Sequence, residues 1–96
     1  MDKQHALDLL ARSKSQLQKQ FGVNRLALFG STARGTARAD SDVDVLVTFD
    51  GPATAKHYFG VQFYLEDMLG RPVDLVTDKA LRPELRPHIE RDMIHV

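Results

Sequence analysis

Val43 to Phe49 reads VDVLVTF, a β-branched and apolar run that belongs in a sheet rather than on a helix face. Val43, Val45, Leu46 and Val47 indicate a strand buried on at least one side, so the chain must supply neighbouring strands and a covering layer. Two further runs fit as neighbours: Arg25 to Phe29 (RLALF), which closes on Gly30, and Val73 to Thr77 (VDLVT).

The covering layer is legible as helices. Leu7, Leu10, Leu17 and Phe21 recur at helical spacing with Lys14 as the one polar interruption, and Asp2 and Gly22 supply a cap and a stop, which predicts a helix over 3–20. Ser31 to Ala37 is a compact small-residue segment suited to a short helix or turn. Gly51-Pro52 marks a turn, and Thr54 caps a helix from about Ala55 to Leu69 that stops at Gly70 with Pro72 beyond. The apolar residues of that helix spread widely around it, implying burial on more than one side or a partner surface. Pro83 and Pro87 punctuate a last short helix before Met93 to Val96, a terminal edge strand. The order α, β, α, β, α, β, α predicts an α/β (α+β) fold, one small mixed sheet with helices packed against it. At 96 residues this is a single domain spanning 1–96, too short for two independently folding units.

Thirteen basic and thirteen acidic side chains cancel, so no global field draws the chain to nucleic acid or a membrane. The zero conceals a segregation: residues 1–39 carry a net +5 and residues 40–50 a net −4. No cysteine is present, which excludes thiolate metal sites, disulfides and thiol nucleophiles. Charges at Asp2, Lys3 and Asp8 interrupt what a signal peptide would need, and no apolar run reaches membrane-span length, so a cytoplasmic location is expected.

The chemistry concentrates in three places. Gly30-Ser31 follows a strand and can aim backbone N–H groups at an anion, although alone the pair is better explained by a tight strand-to-helix turn. Asp42 and Asp44 are two apart on a strand and so share a face; two adjacent carboxylates repel unless a cation such as magnesium lies between them. Asp74 sits inside VDLV, where it either faces solvent or, if its strand neighbours 43–49, completes a three-carboxylate cluster able to hold two metal ions. His5, His57, His88 and His95 show no zinc-ligand spacing, and Tyr58 and Tyr64 read as packing residues.

The combined pattern, Gly30-Ser31, ten intervening residues and Asp42-x-Asp44, with Arg34-Gly35 and Ser41 in the gap (GSTARGTARADSDVD), resembles the signature of the DNA polymerase beta-like nucleotidyltransferases. Nearly the full chain is similar to the minimal nucleotidyltransferases, the MntA-like antitoxins of HEPN/MNT toxin–antitoxin pairs. The resemblance implies a palm-like fold, with Gly30 and Ser31 on the β- and γ-phosphates of ATP and Asp42 and Asp44 on magnesium. It also implies Asp74 as third ligand and a group that helps deprotonate the acceptor, and Arg34 is a further phosphate contact or a surface ion pair.

The implied activity is magnesium-dependent transfer of AMP from ATP to a protein hydroxyl, a tyrosine of a cognate HEPN ribonuclease toxin. Larger superfamily members carry an extra helical domain for which 96 residues leave no room. That argues against an antibiotic-modifying enzyme or a processive polymerase, and for a partner protein or self-association (a homo-oligomer) that completes the site. Two alternatives stand beside it: a binding antitoxin that occludes the toxin, its nucleotide site vestigial or regulatory, and a module that senses ATP without chemistry.

Overall fold

A computed structural model describes residues 1–96. Its elements run α1 (Lys3–Phe21), β1 (Val23–Phe29), α2 (Gly30–Arg34), β2 (Val43–Phe49), α3 (Ala55–Leu69), β3 (Val73–Thr77), α4 (Arg86–Asp92) and β4 (Ile94–His95). The strands form one mixed sheet in the order β3-β2-β1-β4. β1 is antiparallel to both β2 and β4, while β2 and β3 are parallel and joined through α3. This is the expected α/β arrangement of a small mixed sheet with helices against it.

The caps explain where the long helices begin and end. Asp2 accepts a hydrogen bond from the His5 N–H and Thr54 from the His57 N–H, each satisfying a donor left open by the first turn. Gly22 and Gly70 adopt the left-handed conformation that closes each helix. Lys14, the polar interruption in the apolar stripe of α1, bonds through Nζ to the Val96 main-chain oxygen at 2.7 Å, tying the last strand to the first helix.

Strand alternation divides the interior into two parts. On one face Leu26, Leu28, Val43, Val45, Val47, Val73 and Leu75 meet Ala6, Leu10 and Leu17 of α1 and Val61 and Leu65 of α3. On the other, Ala27, Phe29 and Leu46, with Val76 of β3 beside them, are covered by Leu81 and two residues near the C-terminus, Ile89 and Met93. One face is thus roofed by two long helices and the other is largely open.

Elements β1, α2 and β4 differ from expectation in extent, α2 being the single turn Gly30–Arg34 in place of a segment over Ser31 to Ala37. β1 begins at Val23 rather than Arg25, because Val23 is buried while a register irregularity between Val23 and Arg25 turns the polar Asn24 and Arg25 outward. β4 is only two residues long, pairing Ile94 with Leu28 and His95 with Ala27.

Leu65 is fully buried between α3 and the sheet. Leu65→Ala is expected to lower folding stability by about 2–5 kcal/mol, measurable by urea unfolding with an unchanged slope.

Candidate active site

Because β1 runs opposite to β2 and β3, its C-terminal end lies beside their N-terminal ends. Phe29 pairs with Asp44, and Asp44 pairs with Asp74. Residues directly opposite on neighbouring strands share a face. Asp44 and Asp74 therefore stand side by side, on the open face that also carries Leu46. The parallel register brings together what the sequence alone left free to slip by one residue.

Gly30 makes room for them. It sits at φ +73°, and a Cβ built there would overlap Asp44 Oδ2. Glycine is required twice over, by the left-handed backbone and by the carboxylate lying against it. The chain then turns directly into α2, which starts at Gly30 and ends at Arg34 with a left-handed Gly35 behind it. Thr32 and Ala33 are buried and anchor this single turn, leaving Ser31 half-buried at its start.

Asp42 lies one residue before β2 and is exposed. It is near enough to Asp44 for their charges to interact. The Asp44 carboxyl is pushed up to about 6, first by its burial, then by the charge of Asp74 and a hydrogen bond shared with it, then by the charge of Asp42; Arg34 opposes the shift. Burial and two neighbouring carboxylates thus favour the protonated form of Asp44 beyond the range of a free aspartate.

Arg34 is not free. Its Nη1 donates to Asp92 Oδ2 of α4 at 3.0 Å, so the surface ion pair is the reading this structure supports while Arg34 stays within electrostatic reach of Asp44. Arg38 donates its backbone N–H to Ser41 Oγ and makes no ion pair. Two residues that sequence reasoning missed support the site from a distance. Arg71 donates Nη2 to the carbonyls of Ala39 and Ser41, the latter at 3.1 Å, pinning the loop that delivers Asp42. Asp92 holds Arg34. Neither has a local signal, since each acts on a segment at least thirty residues away.

The donor set is all oxygen, which suits a hard divalent cation and not zinc or copper. As folded, the three carboxylates are not drawn around one centre, and no group of three His, Cys, Asp or Glu side chains is arranged to hold a metal ion. The fit to magnesium rests instead on the chemistry of the donors and on the crowding at Asp44, which a bound cation would relieve. Along the same open face a groove of about 610 Å³ is lined by Ala27, Leu46, Thr48, Arg86 and Met93 among others. It begins one strand position beyond Asp44 and excludes the carboxylates themselves.

Two stability predictions follow from this crowding. Gly30→Ala and Gly35→Ala both place a side chain at positive φ, but only Gly30 has an atom in the way. Each is expected to lose about 1–3 kcal/mol for the backbone, with Gly30→Ala losing more because Asp44 must also move; equal losses in urea unfolding would contradict the contact. An acid whose folded pKa exceeds its unfolded value costs stability once ionised. For Asp44 that cost is absent below about 3.8, grows as pH rises towards about 6 and is complete above it. In metal-free buffer Asp44→Asn should therefore raise the melting temperature at about pH 8 and leave it nearly unchanged at about pH 4. Magnesium added at the higher pH should stabilise the natural protein more than the variant.

Residues 10–96 match the nucleotidyltransferase domain family. The protein adenylyltransferase MntA of Thermococcus cleftensis is 36% identical over 88 residues, covering 92% of this chain and 89% of that protein. A relative from Methanocaldococcus jannaschii, also named as a candidate protein adenylyltransferase, is 38% identical over 92 residues, with 93% and 92% covered. Among solved structures, one described as a candidate minimal nucleotidyltransferase superposes with a TM-score of 0.77 at 38% identity, over 98% of this chain and 95% of that one. A toxin–antitoxin crystal structure with AMP-PNP shares the fold, with a TM-score of 0.71 at 21% identity over 88% of this chain and 69% of that one. With the family matching almost the whole chain, and the Gly30 turn, Asp44 and Asp74 gathered at one end of its sheet, this chain belongs to the nucleotidyltransferase domain family and is a nucleotidyltransferase.

Proposed function

We propose that residues 1–96 act as a single minimal nucleotidyltransferase domain that transfers AMP from ATP to a protein hydroxyl, in the cytoplasm and with magnesium. The acceptor in this reading is a tyrosine of a HEPN-family toxin, whose modification neutralises it. One observation carries the assignment of the site: Asp44 lies against the missing side chain of Gly30 and in register with Asp74. Relatives whose names specify protein adenylyltransfer support the choice of acceptor class.

In the proposed reaction the acceptor oxygen attacks the α-phosphorus. The new bond joins that oxygen to phosphorus, the bond from α-phosphorus to the bridging oxygen of the β-phosphate breaks, and pyrophosphate leaves. The hydroxyl proton passes to Asp74, the carboxylate at the exposed edge of the cluster. Gly30 and Ser31 present backbone N–H groups and a hydroxyl to the β- and γ-phosphates at the start of α2. Arg34, at the other end of that turn, exchanges its contact with Asp92 for phosphate. Asp42 and Asp44 would hold magnesium, which when bound neutralises triphosphate charge and polarises the phosphoryl oxygens. The three carboxylates and the turn thus position reactants and balance charge, which is most of what phosphoryl-group transfer asks of a protein.

Co-expression with the product of the neighbouring gene, followed by intact-mass measurement, tests the reading. The partner is expected to gain AMP-sized increments on tyrosine with the natural chain and none with Asp42→Asn/Asp44→Asn. Asp74→Asn should slow transfer by about 10²–10⁴-fold, the range for loss of a general base. A partner that stays unmodified yet is still neutralised by the double variant would establish occlusion in place of catalysis.

A further inference from the structure

α3 covers the sheet with Val61, Leu65 and Leu69, and its outer side carries an exposed apolar ridge, against which only the edge of Tyr58 packs as an aromatic neighbour. Phe59 is 50% exposed and Phe63 64% exposed, far above what a core aromatic shows. The two phenylalanine rings stack on one another, with centroids 6.3 Å apart and planes 24° apart, presenting one continuous aromatic surface. Burying rings of this size is among the larger gains open to an exposed surface.

The ends of the ridge are charged, and in opposite senses. Lys56, Phe59, Phe63 and Asp67 follow at spacings of three, four and four, so they form a single row along the helix, and all four are exposed. Neither Lys56 nor Asp67 takes part in an ion pair within the chain. The row is complementary to itself when reversed. Two copies of α3 laid antiparallel about a two-fold axis between Phe59 and Phe63 bring each Phe59 against the other copy's Phe63. The same operation brings each Lys56 against the other copy's Asp67. A parallel arrangement would oppose like charges instead. An isologous dimer needs a patch that matches itself in this way.

Strand addition is a poorer use of this side of the molecule. β3 is the outer strand of the sheet, but α3 side chains take up its edge. Tyr58 Oη donates to the Leu75 carbonyl, Gln62 donates to the Val73 carbonyl at 3.3 Å, and Glu66 accepts the Val73 N–H at 3.0 Å. An incoming strand would find these groups occupied. The balanced charges likewise give no basic field for nucleic acid or an acidic membrane.

We infer that the exposed ridge of α3 is a homodimer interface, in which two copies pack antiparallel through Phe59 and Phe63 and are registered by Lys56–Asp67 pairs at both ends. α3 covers the face of the sheet opposite Asp44 and Asp74, so dimerisation leaves both carboxylate clusters open and directed away from one another.

Sedimentation velocity of the purified chain over a concentration series tests this independently of any activity. The natural protein is expected to move from monomer to dimer as concentration rises, and Phe63→Asp to remain monomeric with an unchanged circular dichroism spectrum. Lys56→Glu and Asp67→Lys, each removing two ion pairs and creating two repulsions per dimer, should each weaken association by about tenfold or more. The double reversal Lys56→Glu/Asp67→Lys restores opposite charges and should bring the dissociation constant back close to the natural value. A chain that stays monomeric at every concentration, a dimer indifferent to Phe63→Asp, or a double reversal no tighter than the single ones would overturn the proposal.

Discussion

The contact between Asp44 and Gly30 organises one end of this molecule. A carboxylate two residues into a strand that is otherwise buried has to be accommodated by its neighbours. Here the neighbour on one side is the end of β1, where the side chain is absent, and on the other the start of β3, where Asp74 occupies the matching position. Add a side chain at position 30 and Asp44 must leave this place. Shift the β2–β3 register by one and Asp74 turns to the apolar face, where it would be buried without a partner. The apolar core therefore constrains the polar site: with Val43, Val45 and Val47 of β2 and Val73 and Leu75 of β3 turned to α1 and α3, Asp44 and Asp74 are both set on the opposite face.

That dependence explains how much could be read from the residues alone. β2, β3 and α3 came out with the boundaries that periodicity and punctuation predict, because Gly51-Pro52, Thr54, Gly70 and Pro72 are strong local signals. The partial misreading of β1 has the opposite cause. Val23 belongs to the core, but Asn24 and Arg25 separate it from the apolar run, and only the irregular pairing with β2 shows that the strand starts there. Asp42, Asp44 and Gly30 were legible as a spaced pattern. The orientation of Asp74 was not, since it depends on strand order and parallel pairing, which are long-range properties. Arg71 and Asp92 were invisible for the same reason: each is one charged residue among many until the fold brings it to the loop before Asp42 or to Arg34.

The two faces of the sheet divide the demands on a short chain. One carries almost all the fully buried side chains, and two long helices close it. The other is covered only by the 78–85 turns and α4, which contributes no buried residue of its own. Arg86 steadies that cover by gripping Asp78 through its carboxylate at 3.0 Å and its carbonyl at 3.2 Å. Stability is thus concentrated where it does not obstruct the carboxylates, and the segments bordering the open face are held by exposed polar contacts that cost little to rearrange.

Electrostatics constrains what can enter this open face. The basic excess of the first thirty-nine residues contributes little at the site, since Arg34 is the one cation acting on Asp44 and it is shared with Asp92. Three carboxylates with so little positive charge around them repel a bare triphosphate. The proposed reaction therefore requires that cations come with the nucleotide or bind first, so that the charge of the phosphates and that of the aspartates are neutralised together. In the proposed reaction the backbone N–H groups at Gly30 and Ser31 orient the phosphates without adding net charge. On the proposed function, the same carboxylates that disfavour the free anion would select its metal complex, placing discrimination among polyanions in the acidic cluster rather than in a basic pocket.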